Sequence, residues 1–400
     1  MPPISHNQIT PISQSQENAM DPLFVARPLL PDLADLNTML EEIWDTRIVT
    51  NEAAMHNKLE AELSALLSVP VAKLFSSGTS ALQCAMLALD LPKGSEVITT
   101  PLTFPATAHA ITACGLTPVF ADIDPDTLTL DPRAVETAIS PRTAAVLGVH
   151  VYGTICDVEA LQALCDTHGL RLLFDAAHAF YSHKGGQSIA AMGDVSAFSL
   201  HATKLFNTIE GGLVTTRDPT LAKRLGLARN FGIESEEAVR CVGINGKMSE
   251  LHAAVGLLNL NAAPAERAAR KALRTSYDKI IANHPGLRTQ VVQEDVIQSE
   301  QYYLLRVDPD EFRASRDELY ERLKHRKIFA RKYFWPICTD YDCYRGMPIH
   351  SRSEIPVAEQ IKTTLLCLPF HSGTTLDHVA AIAETIAELA NDAKRLRMDA

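Results

Sequence analysis

Between residues 70 and 216, short apolar runs alternate with stretches of helical periodicity. The strand candidates include Glu96-Val-Ile-Thr-Thr100, Thr117-Pro-Val-Phe-Ala121, Ala144-Ala-Val-Leu-Gly148, Leu170-Arg-Leu-Leu-Phe174 and Gly212-Leu-Val-Thr-Thr216. Helical patterns lie between them at 79–89, 104–113 and 158–165. Such alternation predicts an α/β fold, a mainly parallel sheet covered by helices on both faces, with ligands beyond the carboxyl ends of the strands. Two amphipathic helix patterns precede it at 30–68, split near Arg47-Ile-Val-Thr-Asn51. A long helical pattern follows from Ser249 to about His284, and Pro264 is expected to interrupt or restart it. The pattern then changes. Helices near 315–325 and 375–396 flank strand-like pieces such as Tyr302-Tyr-Leu-Leu-Arg-Val307, which predicts a smaller α+β lobe. The organisation expected is a disordered polar tail over 1–20, a large domain over 21–264 whose first helices can pack with the small domain, and a small C-terminal domain over 265–400.

Composition narrows the function classes. A net charge of −11 argues against a broad nucleic-acid surface, which needs clustered Lys and Arg. No apolar run approaches the roughly 18 residues of a membrane span, and the first 20 residues lack an apolar signal core, so neither membrane insertion nor secretion is expected. The eight cysteines are scattered without a C-x-x-C pair, which suits reduced, mostly buried thiols in a cytoplasmic protein and predicts no metal site.

The candidate chemistry centres on Lys204, in Phe198-Ser-Leu-His-Ala-Thr-Lys-Leu-Phe-Asn-Thr-Ile-Glu-Gly-Gly212, and on Asp175, which ends the apolar run Leu172-Leu-Phe-Asp175. A lone Lys is ordinarily a solvated charge. An apolar run ending in Asp, followed by a small-residue loop with one Lys before Gly-Gly, instead suits pyridoxal phosphate (PLP). That cofactor needs a Lys amine for its Schiff base and a carboxylate to keep its pyridine nitrogen protonated. Ser76-Ser-Gly-Thr-Ser80 opens an apolar helix. Gly78 allows a tight turn, and free amides of Thr79 and Ser80 would hold a phosphate; a plain Ser/Thr cap is the alternative. Phe104, on a Pro-flanked loop after a strand, is placed to stack on a ring or to enter the core. His178 can face the same site near the ring's phenolic oxygen, Ser199 can reach the phosphate, and His201 is either a substrate contact or a packing residue.

Together these residues resemble the fold-type-I PLP enzymes and, within them, the DegT/DnrJ/EryC1/StrS family of sugar aminotransferases. The resemblance runs from about residue 23 to 392. It is carried by Glu60, Ser77-Gly-Thr79, Thr103-Phe-Pro-Ala-Thr107, Pro118-Val-Phe-Ala-Asp-Ile-Asp124, His150-Val-Tyr-Gly153, Asp175-Ala-Ala-His178, Ser199-Leu-His-Ala-Thr-Lys204, Gly243-Ile-Asn-Gly-Lys-Met-Ser-Glu-Leu251 and Cys367-Leu-Pro-Phe-His371. It implies a seven-stranded, mainly parallel sheet between helices. Lys204 would carry the cofactor and shuttle the proton, Asp175 would pair with the pyridinium nitrogen, Phe104 would stack, and Gly78, Thr79, Ser80 and Ser199 would cradle the phosphate. Asn245 matches an Asn that reaches the phosphate from the other subunit of a homodimer, although its own surroundings also read as a turn. Arg331 matches a basic residue near the nucleotide. Phe104 replaces a Trp or Tyr common at that position, and Gly246-Lys247 stands where many members have Tyr-Arg, so local dimer contacts are expected to differ.

The activity implied is transamination of a nucleotide-linked keto-sugar with L-glutamate as donor. The substrate expected is a dTDP-4-keto-6-deoxyhexose aminated at C4, of the kind that feeds O-antigens and other surface glycans. Amination at C3, or of a keto-cyclitol, is the alternative. Relatives that replace the Lys with His are sugar dehydratases, so Lys204 favours amine transfer. A PLP-holding regulator without turnover is the reading from another class.

Overall fold

Seven strands form the central sheet of the computed structural model, which describes residues 21–345 and 354–398. The tail expected over 1–20 lies outside the described residues. In chain order the strands are β1 (Val71–Phe75), β2 (Glu96–Thr99), β3 (Thr117–Phe120), β4 (Thr143–Val149), β5 (Arg171–Asp175), β6 (Val195–Ser199) and β7 (Gly212–Thr216), laid out β1-β7-β6-β5-β4-β2-β3. From β3 to β6 the neighbours run parallel; β7 is antiparallel to both β6 and β1. The parallel α/β expectation is met. β1 and β6 are not among the strand candidates; each carries a polar residue mid-run, Lys73 and Ser196. Those polar groups find partners elsewhere in the fold: Lys73 Nζ reaches Glu60 at 2.7 Å, and the Ser196 hydroxyl donates to the carbonyls of Ile189 and Met192.

The strands read as continuous apolar runs because both faces are buried. In β5, Leu172 and Phe174 join the core beneath α1 (Leu33–Thr46), α2 (Ala54–Leu67) and α5 (Val158–His168), while Leu173 joins the opposite core. That second core packs α3 (Gly78–Leu89), α4 (Pro105–Ala113) and α6 (Pro219–Arg229) against Val97, Leu147 and Val214. A buried ion cluster locks α2 to α6. Arg229 Nη1 donates to Glu60 Oε1 at 2.7 Å and to the Leu74 carbonyl at 2.6 Å. Burial alone would push the Glu60 carboxyl up, but Arg229, Lys73 and His56 hold it below the ordinary carboxylate range. Glu60, a marker of the resemblance, therefore has a structural task.

The long helix, α7 (Glu250–Ile281), corrects one expectation. It runs unbroken through Pro264. Proline removes one helix hydrogen bond, but packing fastens both halves: Ala253, Ala254, Leu257 and Ala263 sit in the core beneath α1 and α2, and Leu273, Tyr277 and Ile281 in the C-terminal core. That C-terminal core covers a three-stranded sheet of β8 (Leu287–Thr289), β9 (Tyr303–Val307) and β10 (Leu365–Leu368), with α8 (Arg316–His325) and α9 (Leu376–Met398). It also takes in Leu23, because Leu23–Phe24 pairs in parallel with Ile328–Phe329.

Candidate active site

Strand register assembles the site. Gly212 pairs with both Phe75 and Ser199, and Asp175 pairs with Val149 on one side and Ala197 on the other. The segments ending at Phe75, Asp175 and Ser199 therefore emerge together at one edge of the sheet. A cavity of about 340 Å³ opens there, and its walls include Gly78, Thr79, Phe104, Asp175, His178, Ser199, His201 and Lys204.

Close backbone approach shapes one wall. A Cβ on Gly78 would lie 2.9 Å from Ser199 Cβ, and one on Gly212 would lie 2.1 Å from the Ser77 carbonyl oxygen. Gly78 and Thr79 occupy the first turn of α3, where helix geometry gives the amides no intrahelical acceptor. The expectation of a free Ser80 amide is corrected. Ser77 and Ser80 form a capping box, so the Ser80 amide donates to Ser77 Oγ at 3.1 Å and its hydroxyl turns back to the Ser77 carbonyl at 2.8 Å. Ser80 is buried and stabilises the turn rather than lining the cavity.

Asp175 is buried at the end of β5. Thr107 Oγ1 donates to its Oδ2 at 2.7 Å, the Ala177 amide donates to its Oδ1 at 3.1 Å, and Thr103 continues the chain of hydroxyls 2.8 Å from Thr107. Burial nevertheless raises its carboxyl above the ordinary range, against the pull of Thr107, the Ala177 amide and Lys204. A carboxylate in this state gains from a cation brought beside it. Burial likewise lowers the Lys204 ammonium to about 8, opposed by attraction to Asp175. An amine poised there is available as nucleophile and base near neutral pH. Its Nζ stands 5.8 Å over the Tyr302 ring.

His178 is buried and neutral, its proton affinity pushed well down by burial and by Lys204. Its Nδ1 accepts the Tyr152 amide at 3.2 Å. That bond assigns the ring proton to Nε2, which becomes a donor. The ring stacks on Phe334 at 5.7 Å and meets Tyr302 edge-on at 5.0 Å. Phe104 does not enter the core: it is 55% exposed beside the cavity, with Phe334 edge-on at 6.4 Å. His201 bonds Thr203 at 2.9 Å and lies 3.6 Å from Glu210. The walls thus offer an aromatic face, a buried carboxylate, a depressed Lys and a helix start, which suit an aromatic cationic ring bearing an aldehyde and an anionic group.

The chain is similar to known proteins in sequence and in fold. Residues 32–387 match the DegT/DnrJ/EryC1/StrS aminotransferase family. The chain belongs to that family. It is 39% identical to dTDP-4-amino-4,6-dideoxy-D-glucose transaminase of Shigella dysenteriae, over 92% of this chain and 99% of that one. The Escherichia coli enzyme of the same name is 38% identical, over 90% and 97%. The crystal structure of DesI in the presence of its TDP-sugar product superposes with a TM-score of 0.89 at 36% identity, over 95% of this chain and 96% of that one. As in the rest of this aminotransferase family, the fold is the expected one and the chain is an enzyme of amine transfer.

Besides Ser80, two expected site residues, Asn245 and Arg331, stand outside the cavity walls of this chain. Asn245 is exposed and pairs across an isolated bridge with Asn230. Arg331 is exposed and pairs its backbone with Cys367. Four residues not singled out from the sequence do contribute. Tyr302, Tyr333 and Phe334 line the cavity from the C-terminal part of the chain, and Thr107 holds Asp175. Thr107 lay inside a motif of the resemblance; the three aromatics carried no local signal. Among the described residues there is no His, Cys, Asp or Glu group able to hold a metal, and no helix is long and apolar enough to cross a membrane.

Proposed function

We propose that the cavity binds pyridoxal 5′-phosphate and that the enzyme transfers the amino group of L-glutamate to C4 of a dTDP-4-keto-6-deoxyhexose. The observation that carries this reading is Lys204 and Asp175 facing one cavity, each driven toward its neutral form by burial. When bound, the cofactor supplies an electron sink for breaking a carbon–hydrogen bond. Asp175 would hold the ring nitrogen protonated and so gain a partner for its own buried charge. Phe104 covers one ring face. The Gly78 and Thr79 amides and the Ser199 hydroxyl bind the phosphate at the start of α3. Ser80 supports them through the cap. His178 Nε2–H donates to the ring's phenolic oxygen. Lys204 Nζ would hold the cofactor covalently, with water leaving as the bond forms; once displaced by the donor's amine, the freed Nζ would take a proton from the donor's α-carbon and later return one toward the sugar.

The names of the Shigella and Escherichia relatives, and the TDP-sugar product in whose presence the DesI structure was determined, support the nucleotide and the ring position. His201, on the cavity wall, is assigned to the substrate, and Arg331, two residues before the cavity-lining Tyr333, to the diphosphate. Asn245 is assigned to the phosphate of a partner subunit. Exposed apolar side chains nearby support that shared site: Phe231 is 47% and Val242 79% exposed. The reaction is assigned to the cytoplasm, where unpaired cysteines stay reduced.

The test takes cofactor-free protein, adds pyridoxal phosphate, reduces with borohydride and maps the modified peptide. Lys204 is expected to carry the label, and Lys204→Ala to lose it together with the glutamate half-reaction. The pyridoxamine form, offered a panel of 3-keto and 4-keto nucleotide sugars, is expected to aminate the dTDP-4-keto sugar, identified by mass and NMR. A labelled, glutamate-reactive Lys204→Ala protein would overturn the role of Lys204; amination of only a 3-keto sugar would overturn the ring position.

A further inference from the structure

One buried side chain from the C-terminal part of the chain brackets the lysine. Gln301 is 4% exposed. Its Oε1 accepts the Leu205 amide at 2.8 Å, and its Nε2 donates to the Thr203 carbonyl at 3.2 Å. The two peptide groups it holds lie immediately before and after Lys204. The same strap reaches the other catalytic segment, because the Ser299 hydroxyl donates to the His178 carbonyl and accepts the Gln301 amide at 3.3 Å. Between them Glu300 has φ 62°, a left-handed value that costs a side-chain-bearing residue energy. Arg270, itself buried, offsets that cost by donating from Nη1 to the carbonyls of Glu300 and Gln301, both at 3.3 Å.

We propose that Gln301 is a positioning residue for Lys204: its carboxamide sets the register of residues 203–205 so that Nζ meets the cofactor's reacting carbon. The proposal rests on Lys204 being the cofactor lysine. Its physical basis is that a carboxamide supplies one donor and one acceptor in fixed geometry, matching the carbonyl before Lys204 and the amide after it. Side chains hold a reacting atom to fractions of an ångström only when such supports are themselves rigid, and a displacement of about 1 Å can cost about a hundredfold in rate.

The test separates attachment from binding. Gln301→Ala removes both bonds. Gln301→Glu keeps the shape and the acceptor for Leu205 but sets a carboxylate oxygen against the Thr203 carbonyl. For each variant, the rate of covalent attachment of pyridoxal phosphate is measured beside the affinity for pyridoxamine phosphate, which binds without attaching, and the melting temperature. Attachment slowed by about tenfold or more, with pyridoxamine phosphate affinity held within about twofold, supports positioning. Should Gln301→Ala fail to fold, the isosteric Glu variant carries the test alone. Wild-type attachment rates in the folded variants, or slowing matched by an equal loss of pyridoxamine phosphate affinity, would overturn it. Attachment in the wild-type protein at some lysine other than Lys204 would instead sink the functional reading beneath.

Discussion

Lys204 and Asp175 attract each other, yet burial works against the charge on both. For Lys204 the charged form lies below about 8, so cofactor attachment is expected to speed up about tenfold per pH unit below that point and level off above it. Stopped-flow absorbance across pH checks this, and a profile still rising toward the ordinary lysine range would contradict it. For Asp175 the folded carboxyl is raised, so the ionised form carries a cost that is absent below the ordinary carboxylate range and complete above the raised value. Asp175→Asn is therefore expected to melt a few degrees higher than wild type at neutral pH when cofactor-free, and to lose that advantage in acid. The same variant should lose about a hundredfold or more in turnover, the scale of removing an electrostatic partner from an active site. Calorimetry on cofactor-free protein and steady-state rates check the two halves separately. At this scale the sequence was informative where a residue type is unusual for its surroundings, as with a carboxylate ending an apolar strand. It was silent about Tyr302, because an aromatic in an apolar run looks the same whether it faces a core or a cavity.

Elements supply what single residues cannot: the spacing between chain segments. The register of β7 against β1 and β6 brings Ser77, Ser199 and Gly212 side by side, with no room for a side chain at Gly212. Gly212→Ala is expected to cost more than the roughly 1–3 kcal/mol of ordinary overpacking, because its methyl meets backbone rather than a side chain that can swing away. Denaturant unfolding would read the loss, and a ΔΔG below about 1 kcal/mol would show that the strands can part. Helix starts were legible because a Ser cap before an apolar period has a local cause, as at Ser77 and Ser249. The continuity of α7 was not. Pro264 is a local breaker, and only packing against two separate cores overrides it.

In the whole molecule, the C-terminal part of the chain completes a site built by the central sheet: Tyr302, Tyr333 and Phe334 close it, and Gln301 grips the lysine loop. If Asn245 serves a partner's phosphate, two defective chains should repair each other. Mixed subunits of Lys204→Ala and Asn245→Ala, dissociated and reassembled, are expected to recover activity that neither variant shows alone. The heterodimer then holds one site with both residues intact. Activity in the mixture no greater than the sum of the separate variants would rule out the shared site. The sequence by itself determined the class of fold, the alternation of strand and helix in its central part, and the choice of Lys204 and Asp175 as the candidate pair. Apolar period, helix caps and a misplaced charge are local properties, written within a few residues of where they act. Only the tertiary structure decided that Phe104 faces a cavity, that Ser80 turns into its cap, that α7 passes Pro264 unbroken, and which distant side chains surround the lysine. Those outcomes depend on which surfaces meet when the sheet closes, and pairings between residues about a hundred positions apart, such as Gln301 with Leu205, leave no mark on either stretch alone.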